Sequence, residues 1–410
     1  MTRVRQIGET VLLTLIVASV ALSGGFQLNE QGARAMAQGG AFAARASDGS
    51  AMYFNPAGLG FQTEGSILFG ATGIVFNSSF YGPLQANSNQ KYEQAKQVFT
   101  PINGYIVYPL VDRLTVGVAV NNQYGLGTEW PSTWPGRYLA QKTDLTTWFI
   151  TPTVSYRISD QLSVGLGGVY ALGTVKLNRY VDTRGIQTPS PVQSALDMKG
   201  HGFGVSGGIL FKFSPQVSVG VSYRSQVKVD ASGSAVFTPN YTALGLPQGD
   251  VNASLTLPAT GFAGIAFTPT SNLEIEADYQ YVGWSSYKTL AFTFAANNST
   301  VSSTKNYSDT YILRIGGEYT MAPWHFRAGY LYDHSPVSDQ YSEPMLPDAN
   351  RNGFNAGLGY DVSNHWNVSV AYFFLKFSDR TVTNTVPELS FDGTYHTYAN
   401  LFGANIEFKF

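Results

Sequence analysis

The chain has 410 residues, of which 13% are charged and 14% aromatic, with 43 glycines and no cysteine. Charge at about half of the ~25% usual in soluble domains leaves too little polar surface to cover a soluble fold of this length; 25 basic against 27 acidic residues give no basic footprint for nucleic acid, and the missing cysteines exclude disulfide frameworks and thiolate metal sites. Beyond the N-terminus no apolar run approaches the roughly 20 residues of a membrane helix, which excludes an α-helical membrane protein.

The first segment reads as an export leader. Arg3 and Arg5 supply the charged start, Val11 to Leu22 a short apolar core, and Ala21 and Ser23 a small-residue cleavage site. Residues 1–23 are expected to be removed, leaving a mature chain that begins at Gly24. Residues 24–60 match neither leader nor strand: they are rich in Gly and Ala, carry Arg34, Arg45 and Asp48, and end on Asn55-Pro56-Ala57-Gly58. Pro fixes φ and Asn tolerates a left-handed backbone, so this cluster forms a turn. With too few large apolar residues to fold alone, the segment needs a surrounding wall. It reads as a plug, with Asn55, Pro56, Ala57 and Gly58 at its gating turn into the first strand.

Residues 61–410 read as the wall: an all-β, transmembrane antiparallel β-barrel of about fourteen strands. Leu273, Ile275, Ala277, Tyr279 and Tyr281 alternate with Glu274, Glu276, Asp278 and Gln280; Leu114, Val116, Val118 and Val120 alternate with Thr115, Gly117, Ala119 and Asn121; Val217, Val219, Val221 and Tyr223 alternate with Ser218, Gly220, Ser222 and Arg224. The second face is polar or very small, as a lumen holding a plug requires, whereas a soluble sandwich would place Lys and Glu there. Strand starts are expected near Glu64, Val98, Arg113, Leu145, Gln161, Met198, Gln216, Val251, Asn272, Asn306, Trp324, Arg351, His365 and Thr397. Turns near Asp112, Asp160, Pro215, Ser271, Pro323 and Asn364 recur about every fifty residues, so short turns face one side and long loops the other.

Alternation points Arg157, Arg224, Arg314 and Glu318 inward with the stripe Glu274, Glu276 and Asp278. Arg314 is expected to pair with that stripe across adjacent strands, because an unpaired charge away from water is costly; the alternative is that one of these arginines meets a ligand carboxylate. The stretch from Tyr124 to Leu145 holds Tyr124, Leu126, Trp130 and Trp134, a heavy apolar load that marks either a capture groove or aromatics packed on one another or set in the outer leaflet. The five histidines show no metal-ligand spacing and no local motif nominates a nucleophile, so no catalytic, metal or cofactor site is assigned. The last strand alternates aromatics and ends on Phe410.

Several motifs carry a family resemblance: Gly25 to Glu30 and Ala43 to Asp48, Asn55-Pro56-Ala57-Gly58-Leu59 roughly thirty residues after the leader, Tyr124 to Trp130, Leu257-Pro258 with Gly261 and Gly264, Gly329 to Val337, and Pro347 to Arg351. In this order they resemble the FadL/TodX family of outer-membrane channels for long-chain fatty acids and other hydrophobic compounds. The resemblance implies residence in the outer membrane of a Gram-negative-type bacterium among lipid and lipopolysaccharide, barrel assembly guided by the terminal Phe410, and passive uptake by a monomer. It further implies a path from a loop groove to a pocket beside the hatch, with a sideways exit at a kinked third strand, where Gly117 to Gly125 is the region to watch. Candidate ligand contacts are Phe26, Leu28, Tyr124, Leu126, Trp130, Trp134, Arg157, Arg224 and Arg314. Long-chain fatty acids are the expected ligand, with aromatic or alkane hydrocarbons the alternative; a general porin would lack the plug, and a barrel lipase would need a nucleophile.

Overall fold

The computed structural model describes residues 25–183, 188–383 and 391–410; the expected leader lies outside them. The alternating segments form strands β1 (Ser66–Tyr81), β2 (91–111), β3 (114–129), β4 (Lys142–Arg157), β5 (Leu162–Tyr180), β6 (Gln193–Ser214), β7 (217–238), β8 (249–270), β9 (Leu273–Val282), β10 (Thr310–Met321), β11 (Trp324–Asp333), β12 (Arg351–Asp361), β13 (Trp366–Phe377) and β14 (Gly393–Lys409). An extracellular hairpin, Thr289–Phe294 with Ser299–Thr304, rises between β9 and β10. Each strand pairs antiparallel with its sequence neighbours, and β14 pairs with β1 from Lys409 opposite Ser66 to Thr394 opposite Tyr81. The sheet therefore closes into a 14-stranded barrel without an edge. Twelve of the 14 strands start within four residues of the expected positions; β6 starts five and β2 seven residues before them.

The barrel is inside out relative to a soluble protein. On β9, Ile275 and Tyr279 are 39% and 46% exposed while Glu276 and Asp278 are 0% and 4% exposed, which rejects a sandwich with a solvated acidic face. On β6 the outward residues Phe203, Val205, Ile209 and Phe213 are exposed and apolar, and above them Asp197, Lys199 and His201 are exposed and polar. The apolar belt along β6 is thus about 11 residues tall, the length of a tilted strand crossing a bilayer.

Residues 25–61 fill the lumen. They contain two single-turn helices, α1 (Ala33–Met36) and α2 (Ala51–Phe54), and a 3-10 turn (Pro56–Phe61). Helices this short are unstable alone, and the wall supplies what they lack. Glu276 accepts hydrogen bonds from Ala44 N at 2.6 Å and Arg45 Nε at 2.8 Å; Asp278 accepts from Phe42 N and Ala43 N at 2.9 and 3.0 Å. Glu318 takes Arg34 through Nε and Nη2, both at 3.0 Å, and Arg327 Nε on its other side.

Inward glycines let the plug backbone approach the wall. A Cβ on Gly220 would lie 2.0 Å from Ala43 O, and one on Gly316 2.0 Å from Gln38 O. Because the wall hydrogen bonds do not depend on the plug, Gly316→Val should displace the segment near Gln38 while leaving the barrel closed. The expected result is higher ion conductance in planar bilayers with unchanged heat-modifiability on gels; wild-type conductance would show that the plug tolerates the added methyls.

Candidate functional site

The third strand is broken. β3 pairs with β2 as far as Asn121 opposite Asn103, and with β4 throughout most of its length. After Asn122 N to Ile102 O, 3.3 Å, the ladder to β2 stops, and it resumes at Ala95 N to Glu129 O, 2.8 Å. In the break, β3 turns to the plug instead: Leu28 N donates to Gln123 O at 2.8 Å, Gly125 N donates to Phe26 O at 3.1 Å, and Gln27 bridges Tyr124 in antiparallel fashion. Asn122 secures the lower edge, its Oδ1 accepting from Ile102 N at 2.9 Å and its Nδ2 donating to Thr147 O at 2.5 Å. Asn and Gly leave this stretch without the branched side chains that favour pairing.

A cavity of about 420 Å³ lies at the break. Its inner wall is apolar: Leu126, Leu145, Phe76, Leu375, Phe377 and Leu401, with Leu28 from the plug. Its lining also includes Val98, Asp144, Thr146 and Trp148, all exposed on the outer surface. Leu145 faces the lumen while Asp144 and Thr146 face outward. A cavity touched by both faces of one strand passes through the wall.

Above and beside it an aromatic series leads inward. Tyr124 lines the cavity and meets the Phe26 ring edge-on at 5.7 Å; Phe26 meets Trp284 at 4.7 Å and Tyr287 at 6.0 Å; Tyr287 meets Tyr307 at 5.1 Å. At the end of the series sits a buried charge cluster absent from the sequence-based candidates. Lys305 Nζ donates to Glu343 at 2.7 Å, both side chains being essentially inaccessible, and Arg179, itself buried, lies within electrostatic reach of Glu343. Arg179 Nη2, the hydroxyls of Tyr287, Tyr307 and Tyr395, and Trp284 Nε1 make no hydrogen bond among the described residues. Buried polar atoms are ordinarily satisfied, so this group fits a polar headgroup.

The sequence-based candidates fall into separate places. Leu28, Tyr124 and Leu126 line the cavity, and Phe26 joins it to the charge cluster. Trp130 and Trp134 do not line it: they stack at 4.3 Å, are fully buried, and anchor the loop, with Trp130 Nε1 donating to Pro344 O and Trp134 Nε1 to Ala140 O. The loop folds inward, so no open aromatic groove faces water there. Arg157 stands at the end of β4 and donates to Asp112 in the adjacent turn at 2.8 Å, far along the strand from the cavity. Arg224 donates to Gln123 Oε1 at 2.7 Å and Tyr53 O at 2.8 Å, clamping the β3 break to the plug. Arg314 stands opposite Asp278 in register, yet its guanidinium bonds Gly39 O and Gln280 Oε1, because the plug has already taken the acidic stripe.

Asn55 is fully buried; its Oδ1 accepts from Ala57 N at 3.1 Å, and its Nδ2 donates to Ala43 O at 2.9 Å and Ile209 O at 3.1 Å. Pro56, Ala57 and Gly58 follow as the buried start of the 3-10 turn. Asn55→Ala removes all three bonds, a loss on the order of 2 kcal/mol, enough to loosen the plug but not the wall. Limited proteolysis of the purified protein should cut the plug faster while the barrel band persists; an unchanged cleavage rate would show that Asn55 does not hold it.

Residues 14–410 match the family model described as outer membrane protein transport protein (OMPP1/FadL/TodX). The chain is 26% identical to the long-chain fatty acid transport protein of Escherichia coli O6:H1, covering 96% of each. It is also 26% identical to the 47 kDa outer membrane protein of Pasteurella multocida, over the whole of both. Among solved structures, the Pseudomonas aeruginosa FadL homologue superimposes with a TM-score of 0.85 at 20% identity, covering 94% of this chain and 99% of that one. The P. putida toluene transporter TodX gives 0.70 at 16% identity, covering 92% and 97%. This chain, an outer-membrane β-barrel, belongs to the FadL/TodX family, whose members are transport channels for hydrophobic compounds and not enzymes.

Proposed function

We propose that the protein imports long-chain fatty acids by diffusion, taking the carboxylate at Arg179 and Lys305 and releasing the solute sideways through the break in β3. The observation that carries this reading is the buried Arg179 guanidinium, which lacks a hydrogen-bonding partner for Nη2 and stands beside the Lys305–Glu343 pair at the end of an aromatic path to the wall cavity. A hydrocarbon gains nothing from a buried cation, whose desolvation is costly unless an anion meets it. A carboxylate gains charge-assisted hydrogen bonds from it, while the alkyl chain gains about 0.8 kcal/mol for each methylene buried. Direction needs no fuel: the solute leaves water for apolar surface, and the plug strand Phe26–Leu28, which both touches the aromatic path and closes the break, moves to let it out. The segment 24–60 is on this reading the gate, and residues 1–23 the leader that brings the chain to the membrane.

Arg179→Leu should weaken hexadecanoate binding to the detergent-purified protein at least tenfold, since a hydrogen bond to a charged group contributes about 1.5–3 kcal/mol. Toluene binding should change little. Equal loss of both ligands would mean a general packing role, and unchanged hexadecanoate binding would remove Arg179 from the site. Sequencing the N-terminus of the membrane-extracted protein should give Gly24 first; an intact Met1 would reject leader removal after Ser23.

A further inference from the structure

The wall cavity carries an unexpected charge. Glu30 of the plug and Asp144 on the outer lip of β4 both line it, and no lysine or arginine does. A fatty-acid anion moving from Arg179 toward the membrane would therefore leave two cations for a passage that offers it only acidic groups. An anion without a cationic partner away from water is costly, whereas a protonated acid on the wall can neutralise it, so the headgroup loses its charge on the way.

Glu30 is placed to do this. It is partly buried, stands two residues beyond the stretch Phe26–Leu28 that closes the break, and its carboxyl is hydrogen-bonded to the backbone at Asn29 and at Glu30 itself. Neither cation that faces it is hydrogen-bonded to it: Arg314 donates to Gly39 O and Gln280 Oε1, and Arg351 donates to Asp348 and Ala349 O, which leaves Arg314 Nε and Arg351 Nη1 without a hydrogen bond among the described residues. The remaining titratable groups facing it are the Tyr53 hydroxyl, bonded to Asn29, and Asp144 across the cavity.

We propose that Glu30 is the headgroup-selecting residue of the exit: it passes a proton to the ligand carboxylate, so that the solute enters the membrane as the neutral acid. The O–H bond of the Glu30 carboxyl breaks, an O–H bond forms on the ligand carboxylate, and Glu30 is left as a carboxylate that takes its next proton from water. Each molecule exported into the membrane thus carries one proton with it. Burial raises the Glu30 pKa above the ordinary glutamate range, against the backbone hydrogen bonds at Glu30 and Asn29 and the charges of Arg314 and Arg351, which pull it down; the net rise keeps more of the carboxyl protonated as pH approaches neutrality. As pH rises through that raised value the donor is lost, and uptake of acids falls while uptake of neutral solutes does not.

The proposal rests on fatty-acid import by the route above. Its test is uptake of radiolabelled hexadecanoate and of hexadecanol, across pH 6 to about 8.5, by cells lacking other fatty-acid porins and expressing the full-length chain, with heat-modifiability of each variant checked on gels. Failure of the wild type to take up hexadecanoate while taking up hexadecanol would overturn the proposed substrate itself, before any variant is compared. Given wild-type uptake, Glu30→Leu should slow hexadecanoate about tenfold and spare hexadecanol, while hexadecanoate binding to the purified variant stays within about twofold of wild type because Arg179 is intact. Glu30→Gln, which keeps the shape and a hydrogen-bond donor, should flatten the pH profile for hexadecanoate. Equal slowing of acid and alcohol in both variants, or a wild-type hexadecanoate rate and pH profile in Glu30→Gln, would overturn the role of Glu30.

Discussion

Carboxylates inside a dry barrel must find donors, and a plug with no core of its own must find a wall; in this protein each need is met by the other. Glu276, Asp278 and Glu318 face a lumen where water does not solvate them, and their partners are the backbone N–H groups of residues 42–44 and the side chains of Arg34 and Arg45. The plug backbone in turn spends on the wall the hydrogen bonds that a longer helix would make internally. Ejecting the plug would strand several charges at once, each at a cost of several kcal/mol. A gate in this plug, as proposed above, would be confined to the parts held by fewer such contacts, and the stretch Phe26–Leu28, which precedes all of these anchors, is such a part.

That stretch is also where the wall is incomplete. A closed barrel tolerates a missing ladder only where something else satisfies the freed backbone groups, and here the plug does so through Leu28 N, Phe26 O and Gln27. The aromatic ring of Phe26 reports on Trp284 and Tyr287 while its carbonyl pairs with Gly125. On the proposed route, a molecule settling among those rings would act on the same residue that seals the break. Arg224, tied to both Gln123 and Tyr53, keeps the seal aligned from the opposite side.

Much of the wall was legible because barrel alternation has a period of two and each turn interrupts it; the strands from Arg113, Asn272 and Trp324 began where the pattern placed them. The plug was legible from composition and from Asn55-Pro56. What alternation does not carry is where a long charged side chain ends. It turned Arg314 toward Asp278 correctly in register, but the competition from plug N–H groups, which sends its guanidinium to Gly39 and Gln280, is written in tertiary contacts alone. Arg157 keeps the inward face that alternation gave it, and its position at a strand end lets its guanidinium bend to Asp112. For Trp130 and Trp134 a water-facing groove and packing of the aromatics on one another both stood open, since nothing local shows that the loop folds inward onto Phe80 and Pro344; the two rings pack on one another. Arg179, Lys305 and Glu343 sit far apart in sequence, in or beside loops with no motif, and only a lone basic residue at an inward strand position, Arg179 on β5, hinted at them.

The strands are of very unequal height. β6 runs for 22 residues, of which only the lower half is apolar outside. At ~3.3 Å per residue and a tilt of about 40°, it rises roughly 55 Å, against an apolar belt about 25 Å tall. The rest stands outside the bilayer as a collar around the upper chamber, at the level of the hydrated sugar coat of the outer membrane. For an oily molecule that coat, not the bilayer beneath it, is the barrier, since apolar groups find no partners in a layer of sugars and water. On the import route proposed above, a tall collar with a side window would work as a chimney through that layer, carrying the molecule past the sugars and delivering it where it would dissolve unaided.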